Sequence, residues 1–300
     1  MKQRIVTATL AVTVLGVLVA GCGAPAGVVA PATTTTAISS PAPSPAATAD
    51  PTTAPVPVQV PPTAPAPAPL PAAPDRSLLT VVDPFAVTPW AVDGSGDPPA
   101  DQLAHIGAIG AVTYATPGGP PLGLIPGRTL SDLTVVPVHE VSAGGAWLRV
   151  GLTSRLALPG EGPVNGATGW IHVGDVASLT LITTRVTVDL TTRTLTITEA
   201  DAVTYRTEVA VGAPASPTPV GTAFLVSRWT EGSATPQIAA LSFHSESLAT
   251  FKDDPAVTAI HTYRGPTRGD VSHGCIRIPD PAWAQISALP LGTPIEITEE

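Results

Sequence analysis

Apolar and polar residues alternate with a period of two most clearly in the C-terminal part of the chain. Val186, Val188 and Leu190 lead into a polar turn at 189–194, Leu195 and Ile197 follow it, and Val203, Tyr205, Val209 and Val211 form a third alternating run. Side chains two apart lie on one face of a strand, so these runs predict half-buried strands folded back on one another. Pro and Gly punctuation at 214–221 leads into a strand at 222–226, and further strands are predicted near 241–244 and 257–261. Asp280-Pro281 reads as an N-cap followed by Pro at the first helical position, opening a short helix that runs to about residue 289. A strand at 293–298 closes the chain. The pattern predicts a mainly β domain over 183–300 with one or two short helices.

The middle of the chain carries shorter alternations at 134–138, 147–152 and 170–173, with turns at Gly144-Gly145 and across 159–169. No helical period is present, so a small antiparallel β unit is expected over 76–182, with residues 75–110 either a flanking segment or its first strands. The stretches Val135-Val136-Pro137-Val138, Ala146-Trp147-Leu148-Arg149-Val150 and Gly166-Ala167-Thr168-Gly169-Trp170-Ile171 resemble a bacterial SH3-type domain, which implies a small SH3-like barrel. Trp147 and Trp170 are read as core in preference to a stacking surface, and His105, His139 and His172, without partners at a recognisable spacing, as structural.

Composition removes the first quarter of the chain from the fold. Of 36 prolines in 300 residues, fifteen fall between Pro25 and Pro74, and the first aromatic residue is Phe85. Such a segment cannot bury an interior, so 22–75 is expected to be an extended Pro/Ala/Thr-rich tether. Ahead of it, Lys2 and Arg4 precede an apolar run at 5–20, the layout of an export signal over 1–21. Leu18-Val19-Ala20-Gly21-Cys22 resembles a bacterial lipobox, which implies a lipid anchor on Cys22 that holds the exported protein at the outer face of the cytoplasmic membrane. The formal charge is -9, and loss of the leader makes the chain more acidic by two charges. That balance argues against nucleic acid as a partner.

The candidate chemistry sits in the segment running from His261-Thr262-Tyr263 to Ser272-His273-Gly274-Cys275-Ile276-Arg277. With Cys22 consumed at the anchor, Cys275 is a lone thiol in an exported chain, where oxidation is a standing risk and nucleophilic chemistry a reason to carry it. His261 and His273 are imidazoles able to generate or stabilise a thiolate, and main-chain N–H groups at the Gly274-Cys275 turn are candidate oxyanion donors. An extended strand after the turn would put Cys275 and Arg277 on one face and Ile276 and Ile278 on the other. A metal site built from His261, His273, Cys275 and His244 or Asp270 lacks paired-ligand spacing, and no cofactor motif is present. His244 and Tyr263 are candidate cleft residues, with a structural strand histidine and a core aromatic as the alternatives. Arg264, Arg268 and Asp270 either meet a charged peptide or form a solvated loop.

Ser272-His273-Gly274-Cys275-Ile276-Arg277, with Ala259-Ile260-His261 upstream, resembles the signature of the YkuD-type L,D-transpeptidases, which cross-link peptidoglycan through a cysteine. The resemblance extends over 184–298 and takes in Val211-Gly212, Pro217-Thr218-Pro219-Val220-Gly221-Thr222 and Leu291-Gly292-Thr293-Pro294-Ile295. It implies a β-sandwich catalytic domain with Cys275 as acylated nucleophile and His261 as proton-transfer partner, held by a backbone carbonyl. Ser272, His273, Gly274 and Arg277 would shape the turn and its oxyanion hole. The implied substrates are peptidoglycan stem peptides. Two departures stand out: Thr262 occupies a position where many members carry Gly, and the loop from His261 to Ser272 is a few residues short. A non-catalytic peptidoglycan-binding protein and an L,D-carboxypeptidase that uses water as acceptor are the alternatives.

Overall fold

In the computed structural model, residues 74–230 and 237–299 are described. The expected signal segment, Cys22 and the tether up to residue 73 lie outside the described residues.

The protein is mainly β. The middle region forms a sheet whose central strands are Pro121–Ile125, Ala111–Tyr114, Ala167–His172, Trp147–Gly151, Val135–Val141 and Gln102–Ile106, in that spatial order. Thr80–Val81 pairs at one end and Val176–Leu181 at the other, and no pairing joins these two end strands among the described residues. Residues 75–110 supply strands of this sheet rather than a separate flank. Trp170 is 9% exposed and packs with Tyr114, while Trp147 stands edge-on to Tyr114 and to His172 at 5.1 and 5.3 Å. Trp170 is thus buried and Trp147 half-buried, in a small cluster with Val112 and Tyr114 apart from the main core of this sheet. His105 bonds Thr180, and His172 Nδ1 accepts from Gly174 N–H.

The C-terminal sheet contains β1 (Thr184–Asp189), β2 (Thr194–Glu199), β3 (Ala202–Glu208), β4 (Ala210–Gly212), β5 (Gly221–Trp229), β6 (Ile238–His244), β7 (Val257–Thr262), β8 (Gly269–Ser272), β9 (Ile276–Ile278) and β10 (Pro294–Thr298). Their spatial order is β3-β2-β1-β10-β5-β6-β7-β9-β4-β8. The alternating valines and isoleucines behave as their period requires: Val186, Val188, Leu195, Ile197, Ile295 and Ile297 all point into one core. The third alternating run is not one strand. It breaks at Val209, whose N–H goes to Arg193 O, so β3 pairs with β2 while β4 crosses to β8 and β9. The helix also starts differently from its sequence cue. Pro279 is the cap of a 3-10 turn at Asp280–Ala282, with Ala282 N–H on Pro279 O, and α1 (Trp283–Ala288) continues from it; the Asp280 side chain caps nothing.

Strand β5 reads as a nearly continuous apolar run because both of its faces are covered. Ala223 and Leu225 face the C-terminal core, whereas Phe224 and Val226 enter the core of the middle sheet beside Val136, Val138 and Val150. The middle and C-terminal sheets belong to one compact unit.

Candidate active site

Two parallel neighbouring strands build the site. In the ladder between β7 and β9, Ile260 stands opposite Ile276, His261 opposite Arg277 and Thr262 opposite Ile278. Ile260, Ile276 and Ile278 are fully buried in the core, so the opposite face of the same strands carries Ala259, His261, Cys275 and Arg277. The apolar pattern thus delivers a thiol, an imidazole and a guanidinium to one surface. Cys275 is the free cysteine among the described residues and is half-buried.

The turn before Cys275 is stitched by Ser272. Its hydroxyl donates to the Cys275 carbonyl at 2.6 Å and accepts from Gly274 N–H at 3.1 Å, while its own carbonyl accepts from Ala213 N–H at 2.9 Å. Gly274 has φ of 109°, a conformation that favours glycine. Gly212 lies against the loop that supports this turn, and a Cβ there would meet Ser216 O and Thr218 N at 2.4 Å. These contacts explain why Ser and Gly stand beside the cysteine: one closes the turn, the other permits it.

His261 is 7% exposed, and its Nδ1–H donates to the Thr262 carbonyl at 2.9 Å. That bond fixes the tautomer and leaves Nε2 as the free, basic nitrogen. Burial pulls its pKa below the ordinary histidine value; the Thr262 carbonyl works against this, and the Arg277 charge adds to the lowering. The Cys275 thiol is pushed up by desolvation, while a main-chain hydrogen bond from Ala259 and the Arg277 charge pull it back down. Both shifts favour the neutral forms, thiol and imidazole. Thr262 is a fully buried strand residue whose N–H bonds Gln237 O, while its hydroxyl is buried without a hydrogen-bond partner.

Tyr263 touches both His261 and Arg277. Its ring stands edge-on to His261 at 6.0 Å between centroids and has the Arg277 guanidinium carbon over its face at 4.0 Å. Arg277 forms no ion pair among the described residues, and its Nε is buried without a hydrogen-bond partner. His273 is exposed, and its ring lies 5.1 Å from that of Phe251. Asp270 is held by Arg193 through two bonds of 2.7 Å, and Arg268 by Glu208 at 2.7 Å, so both form intramolecular pairs. Phe251 was not marked by the sequence reading; its one local signal is an aromatic in an otherwise polar turn.

His244 is 1% exposed. Its Nε2–H donates to Pro84 O at 2.6 Å, and Asn165 grips both its N–H and its carbonyl, at 2.7 and 3.0 Å. Enclosure of this kind leaves no face for a substrate. Burial pulls its pKa to about 4. The unfolded state then takes up a proton that the folded state refuses, so stability is full above about pH 6.5 and falls as pH drops toward 4. We expect His244→Gln to abolish a loss of about 2 kcal/mol between pH 7 and pH 5, measured as the difference between the urea stabilities of the two proteins.

Residues 183–297 match the family model described as the YkuD L,D-transpeptidase catalytic domain. No curated protein matches the chain. Among solved structures, an Enterococcus faecium L,D-transpeptidase mutant is 19% identical, with 38% of this chain and 49% of that one covered and a TM-score of 0.31. An L,D-transpeptidase from Stackebrandtia nassauensis is 20% identical, covering 38% and 55%, with a TM-score of 0.31. One from Mycobacterium smegmatis is 11% identical, covering 67% and 99%, with a TM-score of 0.34. The chain spans about half the length of the first of these.

Proposed function

We propose that this protein is an exported peptidoglycan L,D-transpeptidase with Cys275 as nucleophile and His261 as base and acid. The carrying observation is the shared face of β7 and β9, where His261, its Nδ1 committed to a carbonyl, pairs with Arg277, two residues beyond Cys275 and on the same face, inside the segment that matches the family model. Nε2 takes the thiol proton as Sγ attacks the carbonyl of the third residue of a tetrapeptide stem. The main-chain N–H of Cys275 receives the oxyanion, the Gly274 N–H being held by the Ser272 hydroxyl. Collapse breaks the amide to the terminal D-Ala, whose nitrogen leaves with the proton from His261. An acceptor amine then attacks the thioester, gives its proton to His261, and the thiol is regenerated as the proton returns.

In this reading Arg277, stacked on Tyr263, supplies a fixed positive charge that favours a thiolate and a neutral imidazole. Ser272 and Gly274 shape the turn, His273 lines it, and His244 is structural. Cys22 carries the lipid anchor, the middle region is an SH3-type module, and the wall is the place of action. The test is incubation with a tetrapeptide donor and a diamino acceptor: mass spectrometry should show loss of one D-Ala and a new amide joining the two. Tripeptide as the sole product would establish the carboxypeptidase alternative, and unchanged donor would reject both.

A further inference from the structure

Arg155 is 2% exposed and is the largest fully buried side chain in the molecule's described part. Its Nη1 donates to the Ala249 carbonyl at 3.0 Å, its Nε is buried without a partner, and it makes no ion pair among the described residues. Burial lowers its pKa, which marks the penalty for enclosing the charge. A buried cation without a carboxylate is a poor way to gain stability, because an apolar side chain of similar volume would avoid the desolvation. Its presence needs a reason in what it holds.

What it holds is the root of a hairpin. Ala249 directly precedes Thr250–Phe251, which pairs with Asp254–Pro255, and the Ala249 carbonyl also accepts from Ala256 N–H at 3.3 Å. The hairpin carries Phe251, 45% exposed, against His273 of the turn that presents Cys275. Arg155 is itself fixed: its N–H bonds Ala86 O at 3.1 Å and its carbonyl accepts from Thr88 N–H at 2.8 Å. Asn165, on the same side, bonds the Glu246 carboxylate at 3.1 Å as well as the His244 main chain. The middle region thus braces the segment at 244–249, and Arg155 is the brace nearest the hairpin.

We propose that Arg155 is a positioning residue for acylation: through the Ala249 carbonyl it sets the hairpin so that Phe251 forms an apolar wall beside the Cys275 turn for the donor peptide. This rests on the transpeptidase reading given above. The middle region is then part of the acylation machinery.

The test uses the full-length protein and a double-mutant cycle on Arg155→Met and Phe251→Ala. Two rates are read at Cys275: acylation by a tetrapeptide donor, and alkylation by iodoacetamide, which is too small to need the wall. Each single variant should slow acylation roughly ten-fold, the scale of a modest misplacement of a bound reactant. The double variant should be no slower than the slower single one, because both act through the same hairpin. Alkylation should be unchanged or faster. Arg155→Lys, which keeps a donor without the planar fork, should lose less than Arg155→Met, and it replaces Arg155→Met in the cycle if that protein does not fold. Additive losses, wild-type acylation in folded Arg155 variants, or alkylation slowed in parallel with acylation would each overturn the assignment. A wild-type protein that alkylates but is never acylated would reject the transpeptidase reading itself.

Discussion

A Cys275→Ala protein is expected to fold as the wild type and to form no covalent adduct with a carbapenem or with a stem-peptide donor. Cys275 is a half-buried residue directly before β9, while the fully buried Ile276 and Ile278 hold that strand in the core. Loss of one thiol there costs about 1 kcal/mol or less. The turn is kept by groups other than the thiol: Ser272 bonds the main chain at positions 274 and 275. Intact mass after incubation reads the adduct, and thermal melting reads the fold. Turnover that survives in this variant would remove cysteine acylation from the mechanism.

Replacing His261 by Ala is expected to slow acylation by about two to four orders of magnitude, the usual scale for losing a positioned proton carrier. The pH profile supplies the sign. A general base must be neutral, and burial together with Arg277 holds His261 below the ordinary histidine value. The midpoint of the acid limb of wild-type acylation should therefore lie below pH 6.5. Arg277→Met removes a charge that lowers both groups, so its acid limb should move to higher pH and its thiol should become harder to ionise. Stopped-flow acylation across pH 4.5–9 measures all three proteins. A wild-type acid limb above pH 6.5 would mean that His261 does not act as a neutral base.

The strands and the motif were legible in the sequence because their signals are local. A period of two in Val186, Val188, Leu195 and Ile197 is enough to place a sheet face, and the spacing of His261 and Cys275 is enough to pick out a site once both lie in adjacent strands. The orientation of His261 by a carbonyl was likewise expected, and the Thr262 oxygen supplies it. What escaped depends on distant chain segments. The break at Val209 answers to Arg193 and to a ladder partner near residue 270, not to any local change in hydrophobicity. The cap at Pro279 was misread as Asp280 because an acidic residue before Pro is the commoner local cue. His244 appeared as a cleft candidate because nothing nearby in sequence reveals Asn165, 79 residues away, or Pro84, 160 away. Arg155 and Phe251 escaped for the same reason.

The double-faced burial of β5 governs the mechanics of the molecule. A joint between modules can swivel only if its surfaces part at little cost, and here Phe224 and Val226 would have to be drawn out of one core while Ala223 and Leu225 stay seated in the other. Exposing those two side chains costs about 3–6 kcal/mol at 1.5–3 kcal/mol each, before any polar contact is broken. The junction is a weld, not a hinge: a pull on the middle region is transmitted stiffly to the strands beside Cys275, and neither region can be exchanged for a foreign one without redesigning alternate positions of a single strand.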